Sequence, residues 1–122
     1  VRKVLNGEPI TMTGEGKQYR KFGYVEDLAQ GNVLAMNDIA KNKTYNLEGN
    51  DKITIKEIAQ TIQEILGKGE IKYIEGRCGD FEGNEISFAK AKEELGWQAK
   101  TTFRQGLEKY IQWYQNSLVA KT

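Results

Sequence analysis

"KTYNLEGNDKITIKEIAQTIQEILGKGEIKYIE" occupies residues 43–75, and its reading decides the fold. Thr54 and Glu57 stand three apart just ahead of an apolar run, the spacing of a capping box in which each residue satisfies a backbone N–H of the other. Ile55, Ile58, Ala59, Ile62, Ile65 and Leu66 then recur at helical spacing, so one face of a helix is apolar. Gly67 follows as the stop, since glycine enters the left-handed conformation without a Cβ clash. Upstream, residues 43–48 read as a short strand ended by Gly49 and Asn50. Downstream, Ile71 to Glu75 read as another. Strand, helix and strand in succession predict a mixed α/β domain.

The same pattern extends outward. Val1 to Gly7 read as helical, with Pro9 just beyond, and Ile10 to Met12 as a strand. Gly14 and Gly16 mark a tight turn, after which Arg20 to Val25 alternate polar and apolar as a strand does. Asp27 to Asn37 read as a helix with Leu28, Ala29, Val33 and Met36 as its apolar stripe. A further helix is expected from Ser87 to Leu95, stopped by Gly96. The last starts at Thr102, paired with Gln105, and carries Phe103, Leu107, Tyr110, Ile111, Tyr114 and Leu118. No repeat, low-complexity tract or long linker interrupts the chain. The expected fold class is therefore α/β: one small domain over residues 1–122, of alternating helices and short strands.

Composition removes several function classes. Eighteen basic and seventeen acidic residues nearly cancel, so no broad basic field is available for nucleic acid. No apolar run approaches the roughly 18 to 20 residues that span a bilayer. Histidine is absent and cysteine occurs once. A zinc site of the usual nitrogen and sulfur type is not expected, nor is Ser-His-Asp or Cys-His catalysis. A single cysteine cannot form an internal disulfide, and the cytoplasm is the expected compartment. The Asn42-Lys43-Thr44 sequon is then irrelevant. The chain opens on Val1 within a helical pattern, which reads as a fragment.

The residues able to carry chemistry are few. "GEGKQYR" (14–20) begins like a dinucleotide-binding loop, yet it lacks the third glycine and leads into a strand pattern where a helix is needed. No Gly-Lys-Ser/Thr of a P-loop is present. Arginine occurs at only four positions, and two of them, Arg20 and Arg77, lie in or beside glycine-rich turns at predicted strand ends. There a guanidinium fork can meet a phosphate bidentately, and two forks can clamp a diphosphate. Asp80 is typed to accept hydrogen bonds from a sugar's vicinal hydroxyls. The bland alternative pairs Arg20 with Glu26 or Asp27, and Arg77 with Asp80, as surface ion pairs of little worth. Cys78, without a histidine partner, reads as structural. Lys90, Lys92, Glu93 and Glu94 read as a solvated helix face. Trp97, Trp113 and the aromatic stripe of the last helix read as core or rim, with a partner surface as the alternative.

Four segments, "GEGKQYRKFGYVEDLAQG" (14–31), "TYNLEGNDKITIKEIAQTI" (44–62), "RCGD" (77–80) and "FAKAKEELGW" (88–97), resemble the C-terminal portion of the NAD-dependent nucleotide-sugar epimerases and dehydratases. These are extended short-chain dehydrogenases, and the UDP-glucose 4-epimerases among them are most similar. The resemblance covers nearly the whole chain. It implies that Arg20 and Arg77 hold the diphosphate of a UDP-sugar, and that Asp80 binds the ribose. Phe22 would line the substrate cleft, while Ile10, Met12 and Thr13 would hold the base through backbone and side chains. Cys78 stands where the family usually has proline, Ser87 where aspartate is frequent, and Thr13 where some members have a base-stacking tyrosine. The last departure bears on base preference.

The resemblance also implies what lies elsewhere. Family members use an N-terminal Rossmann domain with a glycine-rich NAD loop and a Tyr-x-x-x-Lys pair. Neither motif occurs in these residues, because Leu28 stands where Tyr24 would need its lysine. The expectation is a substrate-binding C-terminal domain with no catalytic, NAD-binding or metal residues of its own, working with a Rossmann domain and NAD in a full-length parent. Without that domain, Leu28, Val33, Met36 and Leu47 would form an exposed apolar patch open to self-association. A stand-alone nucleotide-sugar-binding or protein-interaction module is the alternative.

Overall fold

The capping box forms as the sequence predicts. In the computed structural model, which describes residues 1–76, 83 and 85–119, Thr54 Oγ1 accepts a hydrogen bond from the Glu57 N–H (3.1 Å). The Glu57 carboxylate in turn accepts from the Thr54 N–H (2.7 Å) and hydroxyl (2.7 Å). The helix so begun, α3, spans Ile55–Leu66 and closes on Gly67 at φ 63°. The other elements in chain order are α1 (Arg2–Leu5), β1 (Ile10–Thr13), β2 (Tyr19–Lys21), α2 (Val25–Leu34), β3 (Lys52–Thr54), β4 (Ile71–Ile74), α4 (Ala89–Leu95) and α5 (Phe103–Val119). A single 3-10 turn covers Asp38–Ala40. The fold is mixed α/β, as expected, with two two-stranded sheets, β1–β4 and β2–β3.

The chain divides into two compact units. The first gathers residues 1–20, 53–83 and 104–122. Here β1 and β4 pair in parallel, Ile10 opposite Ile71 through Thr13 opposite Ile74. Val4, Met12, Ala59, Ile62 and Ile111 are buried, so α1, α3 and α5 each give an apolar position to the interior. Gly16 sits where a Cβ would drive into the Met12 thioether. Arg104, at the start of α5, reaches the Glu64 carboxylate on α3 at 2.6 Å and Glu108 one turn on at 3.2 Å. That pairing raises its pKa, chiefly through the bond to Glu64.

The second unit comprises residues 21–52 and 84–103. Its core is Ala91, Trp97 and Ala99, against which Leu28, Leu34, Tyr45, Leu47, Phe88 and Leu95 pack. Phe88 meets Trp97 edge-on, with ring centroids 5.6 Å apart. The Trp97 indole N–H donates to the Asp27 carbonyl (2.7 Å), giving a buried tryptophan the partner it needs. The Asp27 carboxylate accepts from the N–H groups of Lys100 (3.1 Å) and Thr101 (2.9 Å), which ties α2 to the segment after α4.

Several elements depart from the sequence reading: β2 covers Tyr19–Lys21, where Arg20 to Val25 are expected, and α4 starts at Ala89 instead of Ser87. Helix α2 begins at Val25, not Asp27, because Glu26 and Asp27 occupy its first turn, where acidic side chains favour the positive end of the helix dipole. It ends at Leu34 and gives way to the 3-10 turn. Residues 43–48 are not a strand, since no described strand runs beside them to complete a ladder. Side chains hold them instead: Tyr45 donates to Glu94 (2.5 Å), Lys43 to Glu94 (2.9 Å) and Lys90 to the Thr44 carbonyl (3.0 Å). The missed strand is β3, three residues whose last also caps α3. Of the expected apolar patch, Val33 and Met36 are exposed, whereas Leu28 and Leu47 pack on the Trp97 cluster. On α5 only Ile111 is fully buried, while Trp113 is 62% exposed. Among the described residues, no helix is long and apolar enough to cross a membrane.

Candidate functional site

The C-terminal ends of β1 and β4 lie side by side, and each runs directly into a glycine-bearing turn. Parallel strands of an α/β domain commonly present ligands at this end. The Gly14 N–H continues the ladder by donating to the Ile74 carbonyl (2.9 Å). A Cβ placed on either Gly14 or Gly76 would lie 3.6 Å from the other's Cα, so two backbones approach here with no side chain between them. Gly14 has φ 61°, a value that glycine adopts without strain. Arg77, Cys78 and Asp80 follow Gly76 and lie outside the described residues.

Of the residues assigned to the base, Ile10, Met12 and Thr13 all lie on β1. Met12 is 1% exposed, so its side chain belongs to the core, and its backbone lies within the β1–β4 ladder. Ile10 and Thr13 are half-buried. Arg20 lies on β2 in the same unit, exposed, with one guanidinium N–H donated to the Tyr19 carbonyl at 2.7 Å. Among the described residues, Arg20 has no ion-pair partner. Phe22 belongs to the second unit, where its ring lies 5.4 Å from that of Phe103 and remains 41% exposed.

Sequence reasoning missed Gly83. A Cβ there would lie 2.8 Å from the Tyr19 carbonyl oxygen and 2.9 Å from the Tyr19 ring, so this residue presses directly on the backbone that precedes Arg20. Gly76 thus lies beside Gly14, and Gly83 beside Tyr19. The Gly83 φ of 148° and the missing room for a side chain both call for glycine. The only signal in the sequence was a third glycine in that segment.

The turn "GEGKQ" has a different role from a phosphate loop. Its Gly16 and Gln18 carbonyls accept from the N–H groups of Lys56 (3.1 Å) and Ile55 (2.9 Å), the first two of α3. Thr54 takes the third, and the Glu57 carboxylate adds negative charge at the same helix end. The amides that would cradle an anion at a helix N-terminus are already satisfied. Since β2 also follows where a dinucleotide fingerprint needs a helix, these residues do not fit the pyrophosphate of NAD. Among the described residues, no group of three metal-ligating side chains forms.

Two ionised clusters surround the second unit's core. Lys21 donates to the Glu48 carboxylate (3.1 Å) and to the Ile86 carbonyl (3.1 Å), with Glu48 buried. Tyr45, hydrogen-bonded to Glu94, has its pKa pushed up to about 12 by desolvation and then by that carboxylate. Glu94 is lowered, first by the Tyr45 hydroxyl and then by Lys43. A phenol so disposed is no proton acceptor at neutral pH, and this cluster is architectural.

The profile of the family described as GDP-mannose 4,6 dehydratase matches residues 1–110. A dTDP-glucose 4,6-dehydratase of Xanthomonas campestris pv. campestris is 34% identical over 93% of the chain and 36% of its own length. UDP-glucuronic acid decarboxylase 1 of Arabidopsis thaliana is 29% identical over 98% of the chain and 27% of its own. Among solved structures, the UDP-glucose 4-epimerase of Thermotoga maritima with UDP-glucose superposes with a TM-score of 0.82 at 29% identity, over 95% of this chain and 38% of that one. The dTDP-glucose 4,6-dehydratase of Bacillus anthracis in complex with NAD gives 0.84 at 29% identity, over 94% and 37%. The chain therefore spans little more than a third of these relatives at most, and it belongs to the GDP-mannose 4,6-dehydratase family, within the NAD-dependent nucleotide-sugar epimerases and dehydratases.

Proposed function

We propose that this chain is the nucleotide-sugar-binding part of an NAD-dependent epimerase most like the UDP-glucose 4-epimerases. Arg20 and Arg77 grip the diphosphate of a UDP-sugar, and Asp80 accepts from the ribose hydroxyls. Ile10, Met12 and Thr13, all on β1, face the base, and Phe22 borders the sugar. The observation that carries this reading is the setting of Arg20. Its exposed guanidinium has no ion pair among the described residues, and Gly83, three residues after Asp80 in the sequence, lies against the adjacent Tyr19. A fork with unsatisfied donors beside a glycine-lined approach is suited to an oxyanion.

The chain holds the substrate and does not transform it. A Rossmann partner domain in a full-length parent supplies NAD and the Tyr-x-x-x-Lys pair, and remote gripping of the diphosphate aligns the sugar with the nicotinamide. Calorimetry tests the binding half. UDP is expected to bind at micromolar concentration, and the Arg20→Ala, Arg77→Ala double variant to lose that binding. No heat at millimolar UDP would refute it. Incubating the parent protein with UDP-glucose tests the reaction, with the C4 epimer as the expected product and a 4,6-dehydrated or decarboxylated sugar as the refuting one.

A second reading, self-association, is favoured by the exposure of Val33 (58%) and Met36 (83%) on and just beyond α2. Sedimentation of the wild type against Val33→Lys distinguishes it, since a dimer through this surface dissociates in the variant and a monomer is unchanged.

A further inference from the structure

Arg20 is held by the backbone of its own neighbour. One guanidinium N–H donates to the Tyr19 carbonyl at 2.7 Å, and the backbone at Tyr19 is fixed from two sides. On one side, the carbonyl of Gln18 accepts from the Ile55 N–H at the start of α3 (2.9 Å), so the chain entering Tyr19 is tied to a helix end. On the other lies Gly83, where a Cβ would come within 2.8 Å of the Tyr19 carbonyl oxygen and 2.9 Å of two carbons of the Tyr19 ring. An approach that close to backbone leaves no room for a side chain, and at φ 148° any residue but glycine is strained as well. Gln18, Tyr19, Arg20, Ile55 and Gly83 all belong to the first unit.

We propose that Gly83 is a positioning residue that seats the Tyr19 carbonyl and through it pre-orders the Arg20 guanidinium for a phosphate oxygen, an inference that rests on the nucleotide-sugar reading above. A long side chain that swings freely must be ordered by the ligand it grips, whereas one already held has met that cost in the free protein. Arginine suits the arrangement because its planar fork carries several N–H donors, so a carbonyl takes one and an oxyanion takes others. A lysine keeps the charge but presents it as a point on a flexible stem. A methyl group at position 83 displaces the Tyr19 carbonyl, and the guanidinium moves with it.

Two measurements on wild type, Gly83→Ala, Arg20→Lys and the double variant separate positioning from support of the fold. Heteronuclear NMR of the arginine side chains is expected to show slowed guanidinium rotation for Arg20 in the unliganded wild type, the signals being assigned by their loss in Arg20→Lys. In Gly83→Ala they average as those of a free arginine do. Calorimetry is expected to show UDP weakened by about tenfold in Gly83→Ala and in Arg20→Lys. The double variant loses no more than Arg20→Lys alone, because Gly83 acts through Arg20, whereas losses at independent sites multiply. If Gly83→Ala fails to fold by circular dichroism, the wild-type NMR signals and the UDP affinity of Arg20→Lys carry the test. Freely averaged Arg20 signals in the wild type, an unchanged affinity in Arg20→Lys, or losses that multiply in the double variant overturn this inference, and UDP binding by the wild type then leaves the binding reading standing. A wild type that binds no UDP overturns both.

Discussion

Replacing Thr54 with alanine removes two interactions at the start of α3. The Glu57 N–H loses its acceptor at 3.1 Å, and the Glu57 carboxylate loses the Thr54 hydroxyl at 2.7 Å. The N–H of residue 54 remains and can still donate to that carboxylate. Loss of such a cap costs about 1 kcal/mol, which for a chain of this size lowers Tm by about 4 °C. Glu57→Gln keeps the hydrogen-bonding shape and removes only the charge, which contributes about 0.5 kcal/mol at the helix dipole, or about 2 °C. The Glu57 pKa is lowered, first by the Thr54 N–H and then by its hydroxyl. A carboxyl depressed on folding adds stability above its unfolded pKa, and that stability is lost as pH falls through the folded value. The Glu57→Gln penalty should therefore be present at neutral pH and vanish in acid, while Thr54→Ala keeps the part owed to the lost N–H acceptor. Thermal melts followed by circular dichroism at the two pH values measure both. Equal penalties at neutral and acid pH would refute the assigned role of the carboxylate.

Two further outcomes follow from packing and charge. Gly49→Ala should destabilise by about 2 kcal/mol or more, because its Cβ collides with the Phe22 carbonyl and the backbone must yield; denaturant unfolding measures it, and a loss below about 0.5 kcal/mol would contradict the close approach. An ultraviolet titration should show one tyrosine ionising near pH 12, and Glu94→Gln should bring that ionisation down toward the ordinary range. No change in the variant would disconnect Tyr45 from Glu94.

What could be read from the sequence was what neighbours along the chain decide. Thr54, Glu57 and Gly67 specify α3 by local hydrogen bonding and backbone freedom, and they fall where expected. Gly96 likewise ends α4, at φ 66°. Residues 43–48 failed because a strand needs a partner, and their alternation is spent on side-chain bonds to Lys90, Glu94 and the Trp97 cluster. Strand β3 was too short to show a period. At the site, Arg20 could be picked out by its type and its glycine-rich context. Gly83 could not, since its importance lies in the Tyr19 backbone, more than sixty positions away along the chain.

The parallel pairing of β1 with β4 has a kinetic consequence. Ile10 meets Ile71 across a connection of on the order of sixty residues, so the ladder cannot form until most of the chain is available. Closing so long a loop is not much costlier than closing one half its length, about 0.6 kcal/mol more. During synthesis β1 emerges before β4, the strand it pairs with. The meeting of Gly14 with Gly76 therefore requires β4, and a nascent chain stalled before Ile71 carries Arg20 without residues 76–83.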